Sequence, residues 1–237
     1  YDEIEIILVD DCSTQAMPVY FEDFIKKNNI IYIRHQVNKG LAAARNTAIE
    51  LSTCEFFSFC DDDDKWPTDL AIQLLETIQH APSGVSIALA LSGNRRCPSC
   101  LEIFNNYPKL SNVIRSGFTP PVGSQLYTTS LLQKVAGYNI KVRSGVDHDL
   151  WISLAMFNPS VAVSWRGGAD CSNDTMSNRL TTVEATRRKH IAESLLIWKP
   201  KIVDVFGENF YRHFCQSYKI NMDYNFFVMN TSNIFIN

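Results

Sequence analysis

Apolar runs and amphipathic segments alternate along the first half of the chain, and they predict strands and helices in turn. Residues 4–9 (IEIILV) form an apolar run that Asp10, Asp11, Cys12 and Ser13 stop. Residues 30–34 (IIYIR) and 85–91 (VSIALAL) repeat the pattern, as do residues 55–60 (EFFSFC), which end in Asp61–Asp64. Such runs fit strands buried on both faces. Between them, Asn38, Lys39 and Gly40 form a turn, and residues 41–51 (LAAARNTAIEL) read as an alanine-rich helix. Pro67 and Thr68 open another helix, with Leu70, Leu74, Leu75 and Ile78 on one face. The alternation predicts an α/β fold with a mostly parallel central sheet flanked by helices.

The second half is less regular. Residues 93–125 carry Cys97, Pro98, Cys100, Pro108, Pro120 and Pro121 without a clear period. Residues 129–136 read as a short helix that Gly137 terminates. A helix over 147–157 and a strand over 161–165 follow. Thr181 and Glu184 have capping-box spacing for a helix of about 15 residues, which Pro200 should stop. Residues 221–237 are rich in Asn and aromatics, and no element is assigned there. The expected division is a core over 1–165 and a helical extension of the same domain over 166–237.

Composition narrows the class. The chain has 237 residues, 46% hydrophobic and 20% charged, which excludes a disordered or collagen-like chain. A net charge of −3 gives no sign of nucleic-acid binding. No run approaches the roughly 18 apolar residues of a membrane span. No basic, then apolar, leader opens the chain. Seven cysteines, an odd number without framework spacing, favour a reducing compartment, so a cytoplasmic location is expected. Because the chain opens at Tyr1 and runs almost at once into a strand, it is expected to start inside a longer protein.

Two predicted strands end in aspartates, Asp10–Asp11 and Asp61–Asp64. In α/β sheets, ligands bind beyond the carboxyl ends of strands. Consecutive carboxylates repel one another unless a cation compensates them. A hard ion such as Mg²⁺ or Mn²⁺ takes one or two carboxylates together with substrate phosphates. A surface acidic turn is the plain alternative. A receiver-type signalling domain also carries strand-end acids, but it would leave about half the chain unexplained and needs a lysine after 85–91, where Ser92, Gly93 and Asn94 stand. A phosphatase of the haloacid-dehalogenase type fits Asp61 and Asp63, but Lys65 then occupies its Thr/Val position, and earlier strands precede the motif.

A third family fits better. "EIILVDDCST", "NKGLAAARNTAI", "FFSFCDDDDKWPTDL" and "LLQKVAGYNIKVRSGVDHDLWISLA" resemble, in order, the motifs of family-2 glycosyltransferases with the GT-A fold. The resemblance covers about residues 4–165. It implies an inverting transfer of a sugar from a nucleoside-diphosphate donor, UDP favoured, to a hydroxyl of a glycan, lipid-linked or protein-linked acceptor. The family's usual first strand is not visible before residue 4. A catalytically inactive relative remains the non-enzymatic alternative.

The resemblance also implies roles. Asp10 and Asp11 would contact the nucleotide's base and ribose, with Asn38 a turn former first and a donor contact second. Asp61 and Asp63 match the Asp-x-Asp pair. Asp63 would hold Mn²⁺ or Mg²⁺, Asp61 would touch the ribose or the metal's water shell, and Asp62 stands on the donor side. Arg45 would pair either with phosphate or, by a salt bridge, with the acidic cluster. Gln125 falls where the family lines the donor-sugar pocket. Asp147 is the expected base, in "SGVDHDLW", where Val146 replaces the family's usual Glu. Asp149 is either an alternative base or a helix-start acid. Trp151 is a sugar platform or a core residue, and His148 an acceptor contact, a metal ligand or a surface residue. Cys97 and Cys100 have the spacing of a zinc half-site or are free thiols. Arg187, Arg188 and Lys189 would meet an anionic lipid surface or form a solvated helix face in which Glu184 pairs with Arg188.

Overall fold

The computed structural model describes residues 4–15, 17–91, 98–118, 120–171 and 184–218. Strand β1 (Ile7–Asp10) is followed by α1 (Val19–Lys27), β2 (Ile31–Arg34), α2 (Leu41–Leu51), β3 (Phe56–Ser58) and the short β4 (Asp64–Lys65). Next come α3 (Leu70–Gln79), β5 (Val85–Ala90), α4 (Pro98–Ile103), α5 (Leu110–Arg115), β6 (Gln125–Thr128) and α6 (Thr129–Lys134). Then follow α7 (Val146–Ala155), β7 (Ser160–Ser164), β8 (Asp170–Cys171), α8 (Glu184–Phe206) and α9 (Glu208–Ser217).

The larger sheet has the order β3-β6-β5-β7. The expected parallel pairing holds for β5 with β7 and for the separate β1–β2 pair. Strand β6 departs from it, running antiparallel to both β3 and β5. The register explains why. Gln125 opens β6 opposite Leu89, near the end of β5. The intervening segment leaves and re-enters the same end of the sheet, so the returning strand points backwards.

The uninterrupted apolar run of β5 is buried on both faces, as its pattern predicts. Ile87 and Leu89 belong to the larger core with Tyr127, Val161, Leu132, Leu150 and Trp198. Ala88 and Ala90 face the other way, onto Leu70, Leu74 and Ile78 of α3. This period-two alternation places α3 on one side of the sheet and α5 to α9 on the other.

Several elements differ from expectation. Helix α1 was not foreseen, although its apolar residues Tyr20, Phe21, Phe24 and Ile25 recur at helical spacing; Ile25 is its one buried residue. Helices α4 and α5 lie in the stretch 93–125 read as irregular, and β6 begins at its last residue. Helix α8 runs for 23 residues straight through Pro200 rather than stopping there. Proline removes the hydrogen bond to the Leu196 carbonyl. Leu196 is on the exposed side, where water can replace that bond, while Leu195, Trp198 and Ile202 anchor both flanks in the core. The Cys97 half-site, Thr181 and residues 221–237 lie outside the described residues, as do the side chains of Cys100, Glu184 and Arg187.

Candidate active site

The end of β1 is tightly engaged. Asp10 accepts from the Ser13 N–H at 2.7 Å, the Tyr32 hydroxyl at 2.9 Å and Arg34 Nη1 at 2.9 Å. The Ser13 N–H, more than any other partner, holds its carboxyl below the usual value. Asp11 accepts from His35 Nδ1 at 2.7 Å and from the N–H groups of Lys39 and Gly40 at 2.9 and 2.6 Å. Burial pushes the Asp11 carboxyl up, but these hydrogen bonds outweigh it and the net shift is downward. Gly40 must be glycine here, since it caps α2 with φ at +88° while its N–H points at Asp11. Asn38 donates to the Asp11 carbonyl at 3.1 Å and so ties the turn before α2 to the end of β1.

Helix α2 joins this strand end to the second one. Its inner face is Ala42, Arg45, Ala48 and Ile49. The small alanines let Arg45 pass under the helix to the acidic run after β3. Arg45 Nη2 donates to both oxygens of Asp61, at 2.8 and 3.1 Å. Its Nη1 donates to Asp147 Oδ1 at 2.5 Å. Of the two roles open to Arg45, the structure shows the salt bridge and leaves no terminal nitrogen for phosphate. Asp62 and Asp63 are exposed, and Asp64 turns away into β4.

Asp147 lies in the first turn of α7, where a negative charge favours the helix. Its side chain is 41% exposed. Gly145 caps this helix with φ at +75°, and a Cβ there would meet the Trp198 ring at 2.6 Å.

Two expectations along this stretch, for Gln125 and His148, are corrected, and for Trp151 and Asp149 one of two open readings is seen. Gln125 does not line an open pocket: it is fully buried, accepts from Trp151 Nε1 at 2.7 Å and from the Tyr127 hydroxyl, and donates to the carbonyls of Pro120 and Pro121. The same network makes Trp151 a core residue. His148 sits among the rings of Trp198, Phe214 and Tyr218, its Nδ1 3.3 Å from the Tyr218 hydroxyl, rather than facing a metal or an acceptor. Asp149 is 1% exposed, with Lys201 Nζ at 3.7 Å and the Asn139 N–H at 3.3 Å. It is a buried acid in the first turn of α7 that links this helix to α8, so the helix-start reading is seen and not the accessible base.

Burial lowers the His148 pKa below 6.5, against the pull of Asp147. The native state therefore favours the neutral ring, and the unfolded chain takes the proton first. That contribution to stability is whole above pH 6.5 and is lost as pH falls through the lower folded value. Asp10 and Asp11 add a second loss, below pH 3.8, because their carboxyls are held down. Asp149 has the opposite sign: burial raises its pKa, so its stabilising part exists at low pH and fades as pH rises. The urea midpoint is expected to fall in two steps on acidification, and His148→Phe to remove the first. A wild-type midpoint that stays flat below pH 6.5 would contradict the neutral buried ring.

Among the described residues, no three His, Cys, Asp or Glu side chains converge as a metal cage. The exposed acids after β3 still fit a cation that takes its remaining ligands from a substrate's phosphates. No described helix is long and apolar enough to cross a membrane. Arg188 and Lys189 are exposed on α8. The supporting residues Tyr32, His35 and Tyr138 were not foreseen. Only Tyr138 carried a signal, as the aromatic after Gly137.

Residues 1–114 match the family model described as Glycosyl transferase family 2. EpsH of Bacillus subtilis (strain 168), a protein provisionally named a glycosyltransferase, is 43% identical over 76 residues, which are 32% of this chain and 22% of EpsH. The chain thus spans less than a quarter of that relative. The crystal structure of S. aureus TarS 1-349 in complex with UDP-GlcNAc superposes with a TM-score of 0.64 at 19% identity, over 94% of this chain and 68% of TarS 1-349. Mannosyltransferase PcManGT from Pyrobaculum calidifontis, in complex with GDP-Man and Mn²⁺, superposes with a TM-score of 0.58 at 17% identity, over 90% and 61% of the two chains. These likenesses show the GT-A fold.

Proposed function

We propose, proceeding from the family-2 match over residues 1–114, that this chain is the catalytic part of an inverting glycosyltransferase using a nucleoside-diphosphate sugar. The observation that carries this is the Asp61–Arg45–Asp147 bridge, which sets one half-exposed carboxylate beside a strand-end acidic run. In this proposal Asp10, Asp11 and Asp62 face the donor nucleotide. Asp10 and Asp11 each accept three hydrogen bonds already, which leaves each carboxylate room for one more, from base or ribose. Asp63, with Asp61 beside it, would hold a divalent cation, whose chemistry is to stabilise the negative charge of a departing diphosphate.

Asp147 is the base. One oxygen is held by Arg45, and the other is left to accept the proton of an acceptor hydroxyl as that oxygen attacks the anomeric carbon. Val146, at the position where the family has Glu, packs against the core, so Asp147 is the acid the helix start presents. The nucleotide favoured is UDP, supported by the UDP-GlcNAc complex of TarS, with GDP and dTDP as alternatives. The acceptor is a glycan or another hydroxyl compound.

Isothermal titration with UDP, dTDP and GDP, with and without Mn²⁺, tests the donor site. One diphosphate should bind, about tenfold more tightly with Mn²⁺, and Asp63→Asn should remove that enhancement. If none of the three binds with or without metal, the donor-site assignment is wrong.

A further inference from the structure

Arg45 is held in an unusual way. It is 5% exposed on the inner face of α2. Its guanidinium carbon lies 5.4 Å from the centre of the Phe59 ring and 5.2 Å from that of Tyr138. From this slot Nη1 reaches Asp147 and Nη2 grips Asp61 through both oxygens. Its Nε is buried without a hydrogen-bond partner among the described residues. A buried donor left idle opposes folding, so packing alone does not account for an arginine here. What the side chain does accomplish is to join two carboxylates that arrive from distant parts of the sequence.

We propose that Arg45 is a positioning residue that fixes Asp147 for proton abstraction by tying it to the donor-side carboxylate Asp61. The inference rests on Asp147 being the base. Without the guanidinium, the two carboxylates repel, and the first turn of α7 moves off the acidic strand end. Among the described residues, the Arg45 contact is the one hydrogen bond to the Asp147 carboxylate. Its removal frees the side chain to take other rotamers. Lysine cannot replace the planar fork, because a single ammonium does not grip two carboxylates in fixed directions.

The test compares Arg45→Lys, Arg45→Ala and Asp147→Asn with the wild type. Turnover is read as nucleoside-diphosphate release from UDP-glucose, UDP-N-acetylglucosamine and GDP-mannose with Mn²⁺. Arg45→Lys should lower kcat about 100-fold, the size of effect that a misplaced catalytic group produces. The donor KM and the UDP–Mn²⁺ Kd should each stay within about threefold. Added guanidinium should restore part of the Arg45→Ala turnover. An unchanged kcat, a rise in KM alone, or matching losses in kcat, affinity and melting temperature would each overturn the positioning role. Absence of rescue would do the same. If Asp147→Asn retains full turnover, the base assignment itself has failed. If Asp147→Asn is inactive and Arg45→Lys is not impaired, only the positioning role has failed. Independently of turnover, a crystal structure of Arg45→Met with Asp147 still in place would also overturn it.

Discussion

Asp147→Asn is expected to lower kcat about 1,000-fold, in the middle of the range for loss of a general base. UDP–Mn²⁺ affinity should stay within about threefold of wild type, because the change removes a charge on the acceptor side and not at the nucleotide. The amide keeps the size of the carboxylate and still offers Arg45 an oxygen, so α7 should keep its start. What disappears is the second oxygen's ability to take a proton. Nucleoside-diphosphate release, measured beside calorimetric binding, separates the two effects. Equal turnover in variant and wild type would remove Asp147 from the chemistry and send the search for a base to another acid at the crevice.

Trp198→Ala should have the largest effect on stability, about 4 kcal/mol, as for other large aromatic truncations in packed cores. Trp198 is fully buried on α8, facing α7 and α9, with the His148, Phe214 and Tyr218 rings around it. It also lies directly beneath Gly145, two residues before Asp147. Turnover should therefore fall even at temperatures where the variant is folded, because the floor under the proposed base is gone. Trp198→Phe should cost less, since the phenyl ring keeps most of the packing, although it removes the indole N–H that helps hold the Asp149 carboxyl down. Urea denaturation of the two variants checks this. A small loss for Trp198→Ala would mean that α8 and α9 can settle into the space left behind.

What could be foreseen from the residues depended on how local the cause was. Helix α2 matches its predicted span, Leu41–Leu51, because its alanines and the Gly40 turn are local signals. Strand β5 ends within a residue of expectation because a run buried on both faces has a simple pattern. The acidic strand ends were equally legible. Gln125 was not, since a polar side chain looks like a ligand contact until its partner Trp151, 26 residues away in the chain, is known to be beside it. The place of His148 and the burial of Asp149 were missed for a related reason: their surroundings come from α8 and α9, and nothing near them in sequence announces it. Arg45 was legible as an arginine near acids, but its grip on Asp147 spans 102 positions. Pro200 carried a strong local stop signal that the buried flanks of α8 overrode.

The β1–β2 pair has only two strands, and none of its residues is fully buried. Just before it, Ile4 and Ile6 are about half exposed, at 51% and 49%. A two-stranded sheet on its own is marginal in water. Its amide protons should therefore exchange with solvent through local openings that leave β5 and its doubly covered neighbours shut. Asp10 and Asp11 ride on this thinly covered unit, which Ile7 and Val9 pin to the larger core that holds Arg45 and Asp147. A donor that grips both strand ends would draw the weaker one closed, and part of its binding free energy would appear as slower exchange along β1 and not as affinity.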